Sequence, residues 1–319
     1  MNYLVFAKGV DPTRNLALEE HLTRTVGPDD VVLYLWQNDR TVVVGLNQNA
    51  WRECLVDSIH RDGGHLVRRM TGGGTVYHDM GNLNFSFVAG SNVYDLDKQF
   101  DTITRAVLDE GVTVTVSGRN DITVDGKKFS GNAFRHTRDY HLHHGTLLVD
   151  SDLTALTGYL TVSKLKLTSK GIQSVRSRVT NLVDHNPMIT VSSLRDAIVD
   201  SFYTAYGSFT VLDIDESEYA DLICKYSSYD FRLGSNPSFT AVIESKYSYG
   251  ILSINLTVKN GLTEAEVYTD MLDTEFPNVL RDALTGIRFT SDSIVLALKS
   301  LKDGRADEIV PIVNEQFDV

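Results

Sequence analysis

The first segment of this sequence that could perform chemistry is a glycine triplet beside two arginines. Residues 68–79 read RRMTGGGTVYHD and follow a stretch that is typical of a β-strand. Because the glycines have no Cβ atoms, their backbone N–H groups can approach an anion closely. Arg68 and Arg69 add positive charge and forked donors. The segment indicates a cradle for phosphate or carboxylate, although on the triplet alone a strained glycine turn with surface arginines is the commoner explanation.

The second candidate is a lysine in a predicted β-hairpin. Residues 121–130 read DITVDGKKFS, and Asp125-Gly126 favours a two-residue type I′ turn. Such a turn would give the pairs Val124–Lys127, Thr123–Lys128, Ile122–Phe129 and Asp121–Ser130. Because side chains alternate along strands, one polar face would carry Asp121, Thr123, Lys128 and Ser130. This geometry selects Lys128 over Lys127, and the alternative is an exposed hairpin with a solvated lysine.

The third candidate is a basic segment in an acidic chain. Residues 163–182 contain five basic and no acidic side chains, whereas the whole chain has a net charge of −12. The segment could be a lid over an anionic ligand, and a merely solvated loop is an equal alternative. Other catalytic patterns are missing, since neither a Gly-x-Ser-x-Gly motif nor the His-x-x-x-His of a metalloprotease occurs. Cys54 and Cys224 are more typical of small buried residues than of nucleophiles.

Composition excludes several classes of protein. The chain of 319 residues has 42% apolar and 23% charged residues, as globular proteins do. With 30 basic against 42 acidic residues it should repel nucleic acid and anionic lipid. It has no apolar run long enough to span a membrane, and its N-terminus does not resemble a secretory signal. Two cysteines make no disulfide framework, so we expect a cytoplasmic protein.

Hydrophobic periodicity predicts a sheet flanked by helices. A helix should begin at Asp11-Pro12, and further helices should cover the apolar repeats at 100–107 and 194–205. Strands are expected at 31–36, 41–44, 65–69, 84–88, 112–116 and 142–149. After a turn-rich cluster at 234–237, strands at 241–246, 251–258 and 265–268, with an Asn260-Gly261 turn, precede two helices. We therefore predict a domain of residues 1–240 and a small domain of residues 241–319.

Taken together, these motifs resemble those of lipoate–protein ligases. Residues 68–82 are similar to the signature of that family. They form five ordered motifs together with 15–20 (NLALEE), 118–121 (GRND) through 128–133 (KFSGNA), 143–148 (HHGTLL), and 170–172 (KGI) with 174–182 (SVRSRVTNL). The resemblance covers most of residues 1–240. It implies an α/β (α+β) catalytic domain like that of biotin–protein ligases, with mixed sheets and flanking helices. The tail resembles the family's α+β accessory domain in size and position.

The resemblance also implies a two-step reaction. Lipoate and MgATP would give lipoyl-AMP and pyrophosphate, and a lysine of a lipoyl-carrier domain would then form the amide. Nucleotide contacts are implied for Arg69, Gly74, Thr75, Val76, Tyr77 and Lys128. Lipoate contacts are implied for Lys128, Gly73, Gly74 and His144, and a magnesium contact for Asp121. The implied partners of this expected monomer are lipoyl domains of 2-oxoacid dehydrogenase complexes or the glycine cleavage carrier protein.

The residues suit this chemistry. A protonated Lys128 would offset the repulsion between carboxylate and α-phosphate, which is about 4 kcal/mol for unit charges ~4 Å apart at an effective dielectric near 20. Val44, Val76 and Phe87 are candidates for the wall of an apolar slot that could also admit octanoate. Two alternatives stay open: an ATP-independent octanoyl or lipoyl acyltransferase, which would need a cysteine, and a binding module without turnover.

Overall fold

The protein consists of two compact units. The computed structural model describes residues 1–118, 120–160, 179–234, 239–247, 249–271, 273 and 275–317. The large unit comprises Met1–Leu46 and Gly64–Ser227, and the small unit comprises Asn47–Gly63 and Ser228–Val319. The division at residue 240 stays a prediction. The compact units differ from that division, because the small unit includes residues 47–63 and 228–240 in addition to the tail. None of the described helices has the length and apolar character needed to cross a membrane.

Strands and helices are interspersed along the chain, mostly in short runs of one kind. The strands are β1 (Asn2–Phe6), β2 (Val31–Trp36), β3 (Thr41–Val44), β4 (His65–Arg68), β5 (Val76–His78), β6 (Asn82–Gly90), β7 (Thr115–Ser117), β8 (Asp121–Val124), β9 (Lys127–His136), β10 (Tyr140–Leu148), β11 (Thr210–Leu212), β12 (Phe239–Tyr247), β13 (Gly250–Lys259) and β14 (Leu262–Thr269). The helices are α1 (Pro12–Thr25), α2 (Ala50–Glu53), α3 (Val56–Arg61), α4 (Leu96–Asp109), α5 (Leu153–Tyr159), α6 (Val191–Tyr206), α7 (Ala220–Ser227), α8 (Glu275–Leu284), α9 (Ser291–Ser300), α10 (Gly304–Asp307) and α11 (Val310–Phe317). These elements confirm the predicted mixed α/β class.

The large unit is built on a mixed sheet with the strand order β11-β1-β2-β6-β10-β9-β8-β7. Strand β1 pairs in parallel with β2 and β11, whereas the other neighbours are antiparallel. A second sheet has the order β4-β3-β5. Side chains alternate between the two faces of each strand, so one face of the large sheet can build a core while the other serves a different purpose.

The core of the large unit lies on one face of the large sheet. Phe85 and Phe87 of β6 point to this face and are fully buried with Ile103 of α4 and Ile198 of α6. The opposite face carries the polar residues of the same strands. There, Ser86 donates a hydrogen bond of 2.5 Å to Glu19 of α1. Helix α1 therefore covers the second face through polar contacts, which leaves room for a polar site.

The small unit has its own core. Strands β12, β13 and β14 form an antiparallel meander, and Ile254 of β13 is fully buried with Leu280 of α8 and Leu298 of α9. The segment 47–63 belongs to this unit through side-chain contacts. The Trp51 ring meets Phe289 edge-on with centroids 5.2 Å apart, and Ser291 donates from Oγ to Asp57 Oδ2 at 2.9 Å.

Most predicted elements are confirmed, and their physical causes are visible at the ends. Asp11 caps α1, where its carboxylate accepts hydrogen bonds from the backbone N–H groups of Thr13 and Arg14. Asn260 and Gly261 have φ of 53° and 74°, as a type I′ turn requires. The predicted strand at 112–116 is wrong at its start, because pairing begins only at Thr115.

Gly145 of β10 has no room for a side chain, because its neighbours pack closely against it. A Cβ on Gly145 would lie 2.6 Å from Phe85 Cζ and 2.5 Å from Asn132 Oδ1. Gly145→Ala should therefore lower the free energy of unfolding by about 1–3 kcal/mol through overpacking. Urea denaturation followed by circular dichroism measures this. Gly158→Ala in α5 is the control, since nothing lies within 4 Å of its Cβ, and equal stabilities of the two variants would contradict the prediction.

Candidate active site

A cavity of about 190 Å³ lies in the large unit. Its floor is the polar face of the large sheet, and its other walls come from α1, the second sheet and the glycine segment. The lining residues are Leu16, Trp36, Val43, Arg69, Gly73, Gly74, Thr75, Val76, His78, Asn84, Asn120, Lys128, Gly131, Asn132, Ala133, His144, Gly145 and Thr146.

Strand register explains the floor of the cavity. Trp36 is the cross-strand partner of Asn84, Asn84 is the partner of Thr146, and Thr146 is level with Gly131 on the next strand. Directly paired residues point to the same face. This row crosses β2, β6, β10 and β9, so three strand spacings separate its ends by about 14 Å. The cavity thus has a Trp36 end and a Gly131 end.

Lys128 lies at the Gly131 end, on a hairpin that differs in part from the prediction. Asp125 and Gly126 have φ of 50° and 75°, which confirms the type I′ turn, and Thr123 pairs with Lys128 as predicted. Beyond that pair the register shifts. Ile122 is level with Ser130, and Asp121 with Gly131, so the predicted pairs Ile122–Phe129 and Asp121–Ser130 are wrong. Phe129 is the extra residue of a β-bulge, whose side chain is fully buried in the core.

The bulge brings the Lys128 ammonium group across Gly131. Nζ lies 2.7 Å from Asp121 Oδ1, with 37% of the Lys128 side chain exposed. A Cβ on Gly131 would be 2.8 Å from Nζ and 2.9 Å from Cε, so the side chain occupies the space that the glycine leaves open. The backbone is held as well, because Thr180 N–H donates to the Lys128 carbonyl at 3.0 Å. The ammonium group therefore faces the cavity.

Arg69 shapes the glycine segment from inside. Its Nη2 donates to the carbonyls of Gly72 and Gly74, both at 2.7 Å. Nη1 donates to Val43 O at 3.2 Å, and Nε to Thr71 Oγ1 at 3.0 Å. Burial lowers the pKa of Arg69 to about 10, so the guanidinium stays charged at neutral pH. The donors that we expected to reach a ligand are thus engaged with the loop, and Arg69 fixes its backbone.

His144 links the glycine segment to α1. Because Arg69 donates to Thr71 Oγ1, the Thr71 hydroxyl can donate to His144 Nε2 at 2.8 Å. Nδ1–H of His144 then donates to the fully buried Glu19 carboxylate at 2.7 Å. His143 points to the opposite face and lies in the core, where it contacts Phe85 and Phe134. Of these two adjacent histidines, only His144 therefore lines the cavity.

Two nitrogen atoms at the Trp36 end have no hydrogen-bond partner in the described part of the chain. They are His78 Nε2 and Asn84 Nδ2, in side chains that are 3% and 1% exposed. The His78 and Trp36 rings meet edge-on with centroids 6.0 Å apart. Burial lowers the pKa of His78 to about 3, so the imidazole is neutral.

The structure brings most of the predicted residues together. Arg69, Gly73, Gly74, Thr75, Val76, Lys128 and His144 line the same cavity, and Asp121 contacts Lys128. Tyr77 does not line it, because its buried side chain packs on Tyr159, and its nucleotide contact stays a prediction. Two of the wall candidates are wrong: Val43 lines the cavity instead of Val44, and Phe87 lies in the core.

Trp36 and Asn84 were not identified from the sequence. Trp36 lies in the apolar strand β2, whereas Asn84 lies in β6, which begins with alternating polar and apolar residues. Only the register of the strands places both residues in the row that leads to Gly131. Leu16, Asn120 and Asn132 lie in or next to the quoted motifs, which could have pointed to them. The basic segment 163–182 was predicted as a lid, and its residues 163–178 lie outside the described residues.

The fit of magnesium to this site rests on Asp121. Among the described residues, no three His, Cys, Asp or Glu side chains are grouped to hold a metal. Magnesium often takes only one or two carboxylates together with substrate phosphates. Asp121 Oδ1, which has no hydrogen-bond partner among the described residues besides its ion pair with Lys128, suits that limited role.

Comparison with known proteins gives a consistent family. The model "Lipoyl protein ligase A/B catalytic domain" matches residues 11–203, and "Bacterial lipoate protein ligase C-terminus" matches residues 236–317. Lipoate-protein ligase A of Psychrobacter cryohalolentis is 40% identical over 297 residues, which are 89% of this chain and 88% of that protein.

Two solved structures are also similar. LipL1 of P. falciparum in complex with lipoate is 27% identical, with a TM-score of 0.66 over 99% of this chain and 100% of that one. The bipartite lipoate protein ligase of Thermoplasma acidophilum with its E2 lipoyl domain is 30% identical, with a TM-score of 0.66 over 73% of this chain and 96% of that one.

Buried histidines predict how stability depends on pH. Burial also lowers the pKa of His143 to about 3, whereas the ordinary value is 6.5. Above pH 6.5 neither state binds a proton there, and below it only the unfolded state does. Each such histidine should therefore lower the free energy of unfolding by about 1.4 kcal/mol per pH unit below 6.5, until pH 3.

His143→Gln should remove one of these contributions. Urea denaturation between pH 7 and 5 should give a pH slope that is smaller by about 1.4 kcal/mol per unit than that of the wild type. His65→Gln, at an exposed position, is the matched control for the His-to-Gln change itself. Identical slopes for both variants would contradict the buried neutral state of His143.

Proposed function

We propose that the cavity of this chain, which belongs to the lipoate–protein ligase family and is an ATP-dependent ligase, binds lipoate and ATP beside Lys128. There the two substrates would react to give lipoyl-AMP. One observation carries this proposal: the Lys128 ammonium group and the glycine segment line the same cavity. A lysine and a side-chain-free loop that line one cavity suit two anions that must meet. We propose Lys128 as the catalytic residue, in contact with both the lipoate carboxylate and the α-phosphate.

The row across the sheet gives lipoate a direction. With its carboxylate at Lys128, the acyl chain would cross β10 and β6 toward Trp36. Leu16, Val43 and Val76 supply apolar contacts along this path. The His144 ring, held by Thr71 and Glu19, supplies a fixed wall beside the chain. We propose that this arrangement is the lipoate slot.

The glycine segment would bind the nucleotide phosphate. The carbonyls of Gly72 and Gly74 point at Arg69. In a trans peptide N–H points away from C=O, so the N–H groups of Gly73 and Thr75 point away from the guanidinium. Arg69 would thus act on phosphate by fixing these donors and by its charge. Magnesium, bound through Asp121 and phosphate oxygens, would neutralise charge on the leaving pyrophosphate.

In the first half-reaction, a carboxylate oxygen of lipoate forms a bond to the α-phosphorus as the bond to pyrophosphate breaks. Lys128 would offset a repulsion of about 4 kcal/mol between the two anions. It would also stabilise the charge that develops at phosphorus. In the second half-reaction the acceptor amine attacks the acyl carbonyl, and AMP leaves with formation of an amide.

We propose lipoyl domains as the acceptors, in 2-oxoacid dehydrogenase complexes or as the glycine cleavage carrier protein. The relative from Thermoplasma acidophilum, a bipartite lipoate protein ligase described together with its E2 lipoyl domain, supports this class of partner. Cytoplasmic location and a monomeric state stay predictions.

An acyltransferase reaction without ATP is disfavoured by the same geometry. It would need a cysteine at the acyl carbonyl, and no cysteine is among the cavity-lining residues described. Cys54 is buried and its Sγ contacts the Ala50 carbonyl at 3.2 Å, whereas Cys224 is exposed on α7. The ligase mechanism needs no covalent enzyme intermediate.

Pyrophosphate exchange tests the proposed function. Wild-type protein should exchange labelled pyrophosphate into ATP only when lipoate is present. Lys128→Ala should reduce this exchange by about 100-fold or more, since the group that stabilises the transition state is lost. Lys127→Ala is the matched control, because Lys127 is exposed and does not line the cavity. Equal exchange by the two variants would refute the role of Lys128.

Gly131→Ala should displace the ammonium group of Lys128 without removing its charge, and so should show how much activity depends on its position. The new Cβ would displace Nζ and Cε, so exchange should fall by about 10- to 100-fold, as misplaced catalytic groups do. Stability should change by less than about 1 kcal/mol, because the clash is with the flexible end of a side chain. Urea denaturation and the exchange assay give the two values, and full activity in this variant would contradict the proposed position of Nζ.

A further inference from the structure

We propose that His78 Nε2 and Asn84 Nδ2 select, at the Trp36 end of the cavity, an acid whose tail carries lone-pair acceptors. The dithiolane sulfurs of lipoate fit this requirement, and the methyl end of octanoate does not. This inference rests on the proposed function, because it assumes that the carboxylate lies at Lys128. It goes further by identifying residues that determine which acid is preferred.

The hydrogen bonds around His78 show that its cavity-facing nitrogen is a donor. Asn15 Nδ2 donates to Asn38 Oδ1 at 3.0 Å, so the Asn38 amide presents its Nδ2 to His78 Nδ1 at 3.2 Å. His78 Nδ1 must then accept. Since the ring is neutral, its single proton is on Nε2, which has no partner among the described residues.

The same reasoning applies to Asn84. Asn82 Nδ2 donates to Asn84 Oδ1 at 3.0 Å, which engages the acceptor of the Asn84 amide. Asn84 Nδ2 is left as a second donor without a partner in the described structure, and Asn82 Oδ1 is unpaired as well, so the donor role of Asn84 depends on the orientation of these two amides. Both donors belong to cavity-lining side chains that are more than nine-tenths buried. A buried donor without an acceptor is unfavourable, so the site favours any tail that supplies one.

The position of this donor pair matches the tail of the substrate. Asn84 is the cross-strand partner of Trp36, and the His78 ring lies against the Trp36 ring. Gly131, on which Lys128 lies, is two strands away from Asn84 in the same row. A carboxylate at Lys128 therefore places the far end of an eight-carbon acid near the donors. Sulfur is a weak acceptor, so a moderate preference follows.

Competition between two acids tests the inference. We would measure kcat/KM for lipoate and for octanoate in pyrophosphate exchange, with wild-type protein and with Asn84→Leu. The wild type should prefer lipoate. In Asn84→Leu, which keeps the branched shape of the side chain but has no donor, the lipoate-to-octanoate ratio should fall about fivefold or more, because only lipoate loses a partner. His78→Phe should change the ratio in the same direction.

Val43→Ala is the control for a purely packing role, since Val43 lines the same cavity with no polar side-chain atom. It should lower kcat/KM for both acids alike. A wild type without preference, or a ratio that is unchanged in both donor variants, would overturn the inference while the proposed function stands. Exchange with neither acid in the wild type would overturn the proposed function and the inference together.

Discussion

The site depends on keeping one ammonium group charged, immobile and open to ligands inside a small cavity. A freely rotating lysine would lose this position, and a fully buried one would lose its charge. Here Asp121 holds Nζ at 2.7 Å, and the missing side chain of Gly131 gives Nζ and Cε their space. About a third of the side chain remains exposed, so the ion pair stays partly solvated. A β-bulge makes this arrangement possible, because it brings Gly131 level with Asp121 while Phe129 enters the core.

Alternation along the strands lets one sheet serve both stability and chemistry. Phe85 and His143 lie on the core face, and their neighbours Asn84 and His144 lie on the cavity face. Arg69, the second cation of the site, has a different role from Lys128. Arg69 is almost completely buried and binds the carbonyls of its own loop, so it gives the glycine segment a fixed shape before any ligand arrives. Such preorganisation avoids reorganisation during the reaction.

Local features of the fold could be predicted from the sequence because they depend on neighbouring residues. The cap of α1 at Asp11 and the Asp125-Gly126 turn are of this kind. The bulge at Phe129 could not be predicted, since the regular register of the turn already places Phe129 on the apolar face and no local pattern indicates the shift beyond the Thr123–Lys128 pair. The inward-facing role of Arg69 depends on a loop that folds back on itself. Residues 47–63 join the small unit through contacts such as Trp51 with Phe289, which no local pattern reveals.

The features that sequence reasoning missed are concentrated at the end of the cavity away from Lys128. Trp36 lies in a strand whose composition suggests only core, and Asn84 lies on the polar face of β6. This polar face is nevertheless buried, which conflicts with the usual exposure of such residues. Conflicts of this kind are expected at functional sites, where a cost in stability is offset by a gain in binding. Donors on His78 and Asn84 that have no partner among the described residues are unfavourable when no ligand pairs them. A ligand that pairs them removes this penalty, whereas a hydrocarbon tail retains it. The same two nitrogens therefore weaken the empty fold and favour the correct acid.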